Sequence, residues 1–218
     1  MSNRVDYAVF GLGRYGSAVA KELCANGAEV LAVDIDEEKV DDAAAEIPYC
    51  KCADVTDPET IRQLGVSNID VVIISMATNL EASVMATMLC KEAGVKTVIA
   101  KCASEMNCRI LEKVGADRVL FPEKDSGVRL AKNLLSSGFV DILEFSDDAS
   151  MVELEVRTEW VNKSLKELNL RKKYSINIVA IIEGDNVVVN IDPDKPLKKD
   201  MSLIVIAEKE GLSKLRKL

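Results

Sequence analysis

The sequence has no histidine among its 218 residues. Histidine is the most frequent general acid or base near neutral pH, so its absence removes the commonest proton-transfer group of enzymes. It also restricts a conventional zinc site to cysteine ligands alone, and the six cysteines show no paired Cys-x-x-Cys spacing. We therefore expect reduced, buried cysteines that act as small apolar side chains: Cys24, Cys50, Cys52, Cys90, Cys102 and Cys108.

Long apolar runs and an excess of positive charge are absent as well. No apolar stretch approaches the roughly 20 residues that span a bilayer, and residues 1–5 lead directly into a predicted strand rather than a signal peptide. The formal net charge of -8 repels a phosphate backbone and argues against a general nucleic-acid binder. The sequence predicts a soluble, cytosolic protein in which local groups hold any anionic ligand.

The first part of the chain alternates short apolar runs with amphipathic segments, which is the pattern of βα units around a parallel sheet. Each of the five predicted helices is followed by its own stop signal. The helices are predicted at 17–25, 37–45, 58–64, 81–93 and 105–114, and the apolar runs are YAVFG, EVLAVD, YCKCAD, DVVIISM, TVIAKC and RVLFP. Six strands in this order predict a Rossmann-type doubly wound α/β domain over residues 1–136.

The pattern changes after this domain. Segment 124–145 is apolar around much of a predicted helix, and we interpret it as a helical arm that crosses to a partner subunit. An ordinary helix at the sheet edge is the alternative. Residues 137–218 are predicted to hold a linker helix and a small α+β domain with a hairpin turn at 184–186. About 70 residues is near the lower limit for independent folding, so we expect a second copy to complete its core.

A glycine motif opens the first domain. Gly11, Gly13 and Gly16 satisfy G-x-G-x-x-G between a predicted strand and a predicted helix. The first glycine permits the tight turn, the second lets a pyrophosphate approach, and the third lets the helix pack close to the strand. Asp34 ends the second strand, at the distance expected for a carboxylate that binds ribose hydroxyls. This combination predicts an adenosine-containing ligand, and the acidic residue disfavours NADP.

Further candidates lie where open parallel sheets bind ligands. Asp36 has two interpretations, a second ribose contact or the N-cap of the helix that starts at Glu37. Asp54 and the segment 77–79 follow two other strands and are assigned to the adenine side of the cleft.

Two cations complete the predicted site. Arg14 lies within the glycine loop and Lys101 ends the fifth strand. A guanidinium there can bind a terminal phosphate or extend across a symmetric interface, and the lysine can add a second positive charge. Either one alone would be an ordinary solvated surface charge.

The sequence offers no recognisable catalytic set. It contains no Tyr-x-x-x-Lys pair, and no cysteine has a histidine partner. The pattern favours a sensor over an enzyme, with a small NAD-dependent oxidoreductase as the alternative. A redox-sensing repressor is disfavoured because no basic DNA-reading helix is visible.

Several stretches across both domains resemble the KtrA/TrkA family of regulatory subunits of bacterial potassium uptake systems. They are VFGLGRYGSAVAKEL, VLAVDIDEEKV, ADVTD, NLEASV, ILEKVGADRVLFPEKDSG and LRKKYSINIVAI. The resemblance implies an RCK N-terminal domain and an RCK C-terminal domain in a homodimer that assembles into an octameric ring. The ring would lie at the inner face of the cell membrane, under a potassium channel subunit of the KtrB/TrkH type.

The resemblance also implies ligands. ATP or ADP, with NAD(H) as the alternative, would bind the Rossmann crevice, and cyclic di-AMP would bind the C-terminal domain. The residues predicted to bind nucleotide in the first domain are Gly11, Gly13, Arg14, Tyr15, Gly16, Asp34, Ile35, Asp36, Ala53, Asp54, Met76, Ala77, Thr78, Asn79 and Lys101. Arg171, Asn177 and Ile178 match positions that contact cyclic di-AMP.

One acidic residue has two interpretations. Glu123 matches a family position that helps to hold a divalent or monovalent cation between subunits, and the alternative is a surface glutamate at the start of the next helix. The chain departs from the family pattern at Phe121, where a histidine is frequent, and at Ala53, where a glycine is usual.

Overall fold

A computed structural model describes residues 6–135, 139–144 and 149–216 of the chain. The chain divides into two compact units, Met1–Glu123 and Lys124–Leu218. The division predicted from the sequence, between residues 136 and 137, stays a prediction. None of the helices in these described ranges is long and apolar enough to cross a membrane.

The first unit is built on a six-stranded sheet in which every neighbouring pair is parallel. Its strands are β1 (Asp6–Phe10), β2 (Glu29–Asp34), β3 (Tyr49–Cys52), β4 (Val71–Ile74), β5 (Thr97–Lys101) and β6 (Arg118–Leu120). The order is β3-β2-β1-β4-β5-β6, so the direction of winding reverses between β1 and β4. Ligands of doubly wound sheets bind beyond the carboxyl ends of the strands at such a point. The predicted Rossmann-type sheet is confirmed.

The helices of this unit are α1 (Arg14–Ala25), α2 (Glu37–Ala44), α3 (Pro58–Gln63), α4 (Leu80–Glu92) and α5 (Glu105–Val114). The prediction that α1 starts at Ser17 is wrong by three residues. Gly13 is the N-cap, and the amide of Ser17 already donates to the carbonyl of Gly13 over 2.9 Å. The Ser17 hydroxyl donates to the carbonyl of Leu12 over 2.8 Å instead of capping the helix. Arg14 is therefore the first helical residue and not a loop residue.

Apolar side chains cover both faces of the parallel sheet. Along β1, Ala8 and Phe10 belong to one buried cluster and Val9 to the other, as the alternation of side chains in a strand requires. All three are fully buried. Burial on both faces explains why the strands appear in the sequence as continuous apolar runs.

The second unit has a five-stranded antiparallel sheet in the order β10-β9-β11-β8-β7. The strands are β7 (Phe139–Glu144), β8 (Ala149–Glu155), β9 (Ile176–Glu183), β10 (Asn186–Val188) and β11 (Met201–Glu208). The remaining helices are α6 (Pro122–Leu135), α7 (Leu165–Leu168), α8 (Leu170–Tyr174) and α9 (Lys209–Arg216). The predicted hairpin is present, with Gly184 at φ +60 between β9 and β10. The predicted α+β character of this domain is confirmed.

The predicted helix over segment 124–145 is correct only as far as Leu135. Residues 139–144, the start of the predicted linker helix, form β7 and pair with β8. Phenylalanine, valine and isoleucine favour strands, and the antiparallel partner satisfies the backbone groups that a helix would have satisfied internally. Phe145, the end of the predicted arm, lies outside the described residues.

Candidate functional site

The glycine loop is tightly packed between β1 and α1. Gly11 has φ +93, and its amide donates to the carbonyl of Val33 over 2.8 Å. A Cβ on Gly16 would lie 1.9 Å from the carbonyl oxygen of Gly11, which no side chain can accommodate. The loop can follow this path only with glycine at both positions.

The N-terminus of α1 has no negatively charged side chain in its own first turn. Gly13 makes no side-chain capping hydrogen bond, and the first turn contains no acidic residue. The first amides of a helix lack intrahelical partners and carry a partial positive charge. A phosphate group is a suitable partner for these amides.

A cleft of about 320 Å³ opens beside this loop, at the carboxyl ends of β1, β2, β3 and β4. It brings together nine of the predicted residues: Gly11, Gly13, Asp34, Ile35, Ala53, Asp54, Met76, Thr78 and Asn79. The other predicted residues of this domain, which are Arg14, Tyr15, Gly16, Asp36, Ala77 and Lys101, do not line it. The cleft thus contains two of the three predicted glycines and two of the three predicted aspartates, but neither predicted cation.

Asp34 ties the second strand to the glycine loop. Its Oδ2 accepts a hydrogen bond from the amide of Leu12 over 2.6 Å, and its Oδ1 accepts one from the amide of Asp36 over 3.0 Å. Its side chain is only 9% exposed. The carboxylate is therefore fixed at the edge of the cleft, and each oxygen keeps a second lone pair for a ligand hydroxyl.

Asp36 is the N-cap of α2. Its side chain accepts a hydrogen bond from the amide of Glu38 over 3.2 Å, and it pairs with the ammonium of Lys39 at 3.0 Å. The hydrogen bond from Lys39 holds the pKa of this carboxyl below its usual value. The capping interpretation is correct, and a direct ribose contact stays a prediction.

Two other polar residues that line the cleft are also engaged in local structure. Asp54 accepts hydrogen bonds from the amide and the hydroxyl of Thr56, over 2.9 and 2.7 Å. The Asn79 side chain caps α4 by accepting from the amide of Ala82 over 3.0 Å. Both side chains are therefore held in place without a ligand.

The predicted cation Lys101 belongs to a separate group of side chains. Its Nζ donates to Glu123 over 2.6 Å and lies 5.6 Å from the centre of the Tyr15 ring. The hydrogen bond from Lys101 lowers the pKa of Glu123, with a smaller contribution from the charge of Arg14. Arg14, Tyr15, Lys101 and Glu123 are called the basic cluster below.

The described residues contain no group of three or more cysteine, aspartate or glutamate side chains that could hold a metal ion. Within one chain, Lys101 already neutralises the carboxylate of Glu123. The interpretation of Glu123 as a cation ligand between subunits stays a prediction.

The three residues predicted to bind cyclic di-AMP lie on neighbouring elements of the second unit. Arg171 is exposed on α8, and Asn177 and Ile178 lie on β9. Asn177 is exposed, whereas Ile178 packs against the buried core. Their role stays a prediction.

Sequence reasoning missed three polar residues of the cleft, which are Lys39, Thr56 and Ser75. Lys39 lines it, and its position three residues after the capping Asp36 is the sequence signal that could have identified it. Ser75 lines it directly after β4, and its buried Oγ has no hydrogen-bond partner. Nothing in the apolar run DVVIISM distinguishes this serine from a structural one.

The expectation that all six cysteines are reduced and buried is wrong. The structure joins Cys102 and Cys108 by a disulfide, because the end of β5 and the first turn of α5 place their Cα atoms 5.2 Å apart. Among the four free cysteines Cys52 is exposed and Cys90 is buried. Burial raises the pKa of the Cys90 thiol to about 12.

Taken together, the site offers helix amides and a glycine loop for an anion, beside carboxylates for hydroxyl groups. These features define a mononucleotide or dinucleotide cleft of the Rossmann type. Two family models match the chain, the TrkA-N domain over residues 7–122 and the TrkA-C domain over residues 151–218. The chain belongs to the TrkA family of potassium uptake proteins, as the resemblance indicated.

Known relatives agree over nearly the whole length. The chain is 37% identical to Ktr system potassium uptake protein C of Bacillus subtilis (strain 168), over 97% of this chain and 96% of that protein. It is 35% identical to Ktr system potassium uptake protein A of the same organism, over 95% and 94%. These relatives are potassium uptake proteins and not enzymes, which confirms the prediction of a non-enzyme and disfavours the oxidoreductase alternative.

A solved structure of the GsuK channel bound to NAD has the same fold. It matches with a TM-score of 0.71 at 15% identity, and the match covers all of this chain (100%) and 40% of the channel chain. At this identity the likeness establishes the fold alone.

Proposed function

We propose that this chain is the nucleotide-sensing regulatory subunit of a potassium uptake system. It would be a cytoplasmic protein, bound to the inner face of the membrane through a channel subunit of the KtrB/TrkH type. The observation that carries the proposal is the cleft, which is lined by Gly11 and Gly13 of the glycine loop, at the N-terminus of α1, and by the fixed carboxylate of Asp34. The names of the relatives support the link to potassium uptake.

The proposed ligand is ATP or ADP, with NAD(H) as the alternative. The residues present fit such a group, because Gly11 and Gly13 leave the backbone open to a pyrophosphate and Asp34 offers oxygens to ribose hydroxyls. A bound nucleotide would supply phosphate charge as a signal. The chain's own residues would bind and orient it, and this function requires no chemical step.

The basic cluster is the proposed reader of phosphate number. Arg14 and Lys101 do not line the cleft of their own chain. We propose that the arginine reaches the nucleotide of a neighbouring subunit and that Lys101 adds positive charge. Glu123 would then exchange its contact with Lys101 for a cation shared between subunits.

The proposed assembly is a homodimer that builds an octameric ring. The domains would divide into residues 1–136 and 137–218, and cyclic di-AMP would bind between two C-terminal domains at Arg171, Asn177 and Ile178. Nucleotide exchange can change the ring only if the two nucleotides bind its two states with different affinity.

The proposal is tested by potassium flux into vesicles that carry the channel subunit and the regulatory ring. We expect different flux with saturating ATP and with saturating ADP. Arg14→Ala should reduce this difference, because the guanidinium supplies the proposed contact to phosphate. Equal flux with the two nucleotides in the unmodified protein would remove nucleotide switching from the proposal.

A further inference from the structure

Lys39 joins two carboxylates at one end of the cleft. It is the third residue of α2, and its Nζ lies 3.0 Å from Oδ2 of Asp36 and 3.8 Å from Oδ1 of Asp34. The hydrogen bond to Asp36, followed by the charge of Asp34, raises the pKa of Lys39, so its ammonium is charged throughout the neutral range.

Lys39 supplies the positive charge at this end of the cleft. Among the lining residues in the described part of the chain, Lys39 alone has a cationic side chain, whereas Asp34 and Asp54 carry carboxylates. Without Lys39, a phosphorylated ligand would face these carboxylates with no positive charge between them. Such repulsion is strongest where side chains are shielded from water, as Asp34 is.

The two carboxylates that Lys39 joins are held to different degrees. Asp34 is fixed by two backbone amides and is 9% exposed, whereas the Asp36 side chain is 43% exposed. The ion pair with Lys39, together with the capping hydrogen bond from the amide of Glu38, therefore keeps the more exposed carboxylate beside the fixed one. An ordinary surface pair between residues three apart would contribute little and would have no second contact with a buried carboxylate on a strand.

We propose that Lys39 is a positioning residue that sets the preference of the cleft for a ribose with both hydroxyl groups. It keeps the Asp36 carboxylate, which does not line the cleft, beside Asp34, and it offsets the charge of the lining Asp34 carboxylate against the phosphates of the ligand. This inference rests on the proposed function, because it requires an adenine nucleotide in the cleft.

The test compares ADP with 2′-deoxy-ADP by isothermal titration calorimetry on the full chain. Lys39→Gln should weaken ADP binding about 5- to 10-fold and 2′-deoxy-ADP binding about 2-fold, because only ADP offers the 2′-hydroxyl that can donate to the Asp34 carboxylate beside Lys39. Lys39→Arg should keep most of the preference, since it keeps the charge.

The matched control is Lys21→Gln. Lys21 is a lysine of α1 that pairs with Glu46 at 2.7 Å and does not line the cleft. Lys21→Gln removes the same charge and a similar ion pair. The affinities for ADP and for 2′-deoxy-ADP should therefore each stay within about 2-fold of those of the unmodified protein. Thermal unfolding of each variant checks that it is folded.

The outcomes separate the two proposals. If Lys39→Gln behaves like Lys21→Gln, or loses affinity for both nucleotides equally, the role of Lys39 in sugar preference is overturned. If the unmodified protein binds neither ADP nor ATP nor NAD, the proposed function itself fails.

Discussion

The two units of the chain both bury an apolar core beneath a sheet, but their sheets leave different spaces open. In the first unit all strands run parallel, so the carboxyl ends of β1 to β4 stop at one edge and a cleft of about 320 Å³ opens there. In the second unit the strands alternate in direction, and a pocket beside β9 and β10 measures about 30 Å³. The parallel strands thus place the cleft of the first unit where doubly wound sheets bind ligands.

The polar groups of the two pockets differ in the same way. In the smaller pocket the carboxylate of Glu183 is already paired with Lys195 and Lys198. Beside the larger cleft, the first turn of α1 contains no acidic residue, and its N-cap Gly13 makes no side-chain hydrogen bond. The carboxylate of the smaller pocket is thus already neutralised within one chain.

The substitution with the largest expected effect destabilises the first unit at the close contact between Gly16 of α1 and the carbonyl of Gly11. Gly16→Ala places a Cβ 1.9 Å from the Gly11 carbonyl oxygen and 3.2 Å from the Ser75 Cβ. Neither neighbour can withdraw without moving β1 or β4, so we expect the free energy of unfolding to fall by more than about 3 kcal/mol. Denaturant unfolding measures this loss.

Gly13→Ala is the control for this substitution. A Cβ at Gly13 meets nothing within 4 Å, and its φ of -67 suits alanine. Stability should change by less than about 1 kcal/mol, while ADP binding should weaken because this position lies where a pyrophosphate approaches. A Gly16→Ala variant as stable as Gly13→Ala would contradict the close packing.

A core substitution in the second unit tests whether the two units act separately. Leu203 is fully buried on the central strand β11, and Leu203→Ala should lower the free energy of unfolding by about 3 kcal/mol. ADP affinity, measured by calorimetry on the folded variant, should stay unchanged because the cleft belongs to the first unit.

Leu203→Met keeps the side-chain volume and should cost less than about 1.5 kcal/mol, which isolates the cavity as the cause. A marked loss of ADP affinity in Leu203→Ala would show that the second unit contributes to the nucleotide site.

The comparison also shows what local sequence pattern can predict. Parallel strands with a helix between each pair leave strong signals, so the six strands of the first unit and the glycine loop beside Asp34 were predictable. Antiparallel pairing depends on a partner strand, and β7 was mistaken for helix because its apolar residues continue the apolar pattern of the helix that precedes it.

The missed parts of the site have related causes. Lys39 reaches Asp34 only because the first turn of α2 directs it towards the end of β2, and this depends on the exact capping residue. Cys102 and Cys108 meet because a strand end and a helix start approach each other, which their spacing of six residues does not reveal. Contacts of this kind are set by the path of the loops.

The smallest expected effect sharpens a comparison within the first unit, between the two ends of its parallel strands. Asp34 is fixed at the carboxyl end, beside the cleft. Asp117 is fixed at the amino end, where it accepts hydrogen bonds from the amide of Val98 over 2.7 Å and from Lys91 over 2.9 Å. These contacts, the backbone hydrogen bond first, lower the pKa of Asp117. Its charge should therefore stabilise the fold and leave nucleotide binding unaffected.

Asp117→Asn keeps an oxygen for the Val98 amide but removes the charge. A depressed folded-state pKa gives stability that is present above the unfolded pKa of about 3.9 and is lost as the pH falls through the lower folded value. The variant should therefore be less stable than the unmodified protein at pH 6, and the difference should shrink below about pH 4. Urea unfolding at several pH values measures it, with Asp185→Asn in the exposed hairpin turn as the control. A difference that is constant down to about pH 2 would show that the charge of Asp117 is not its source.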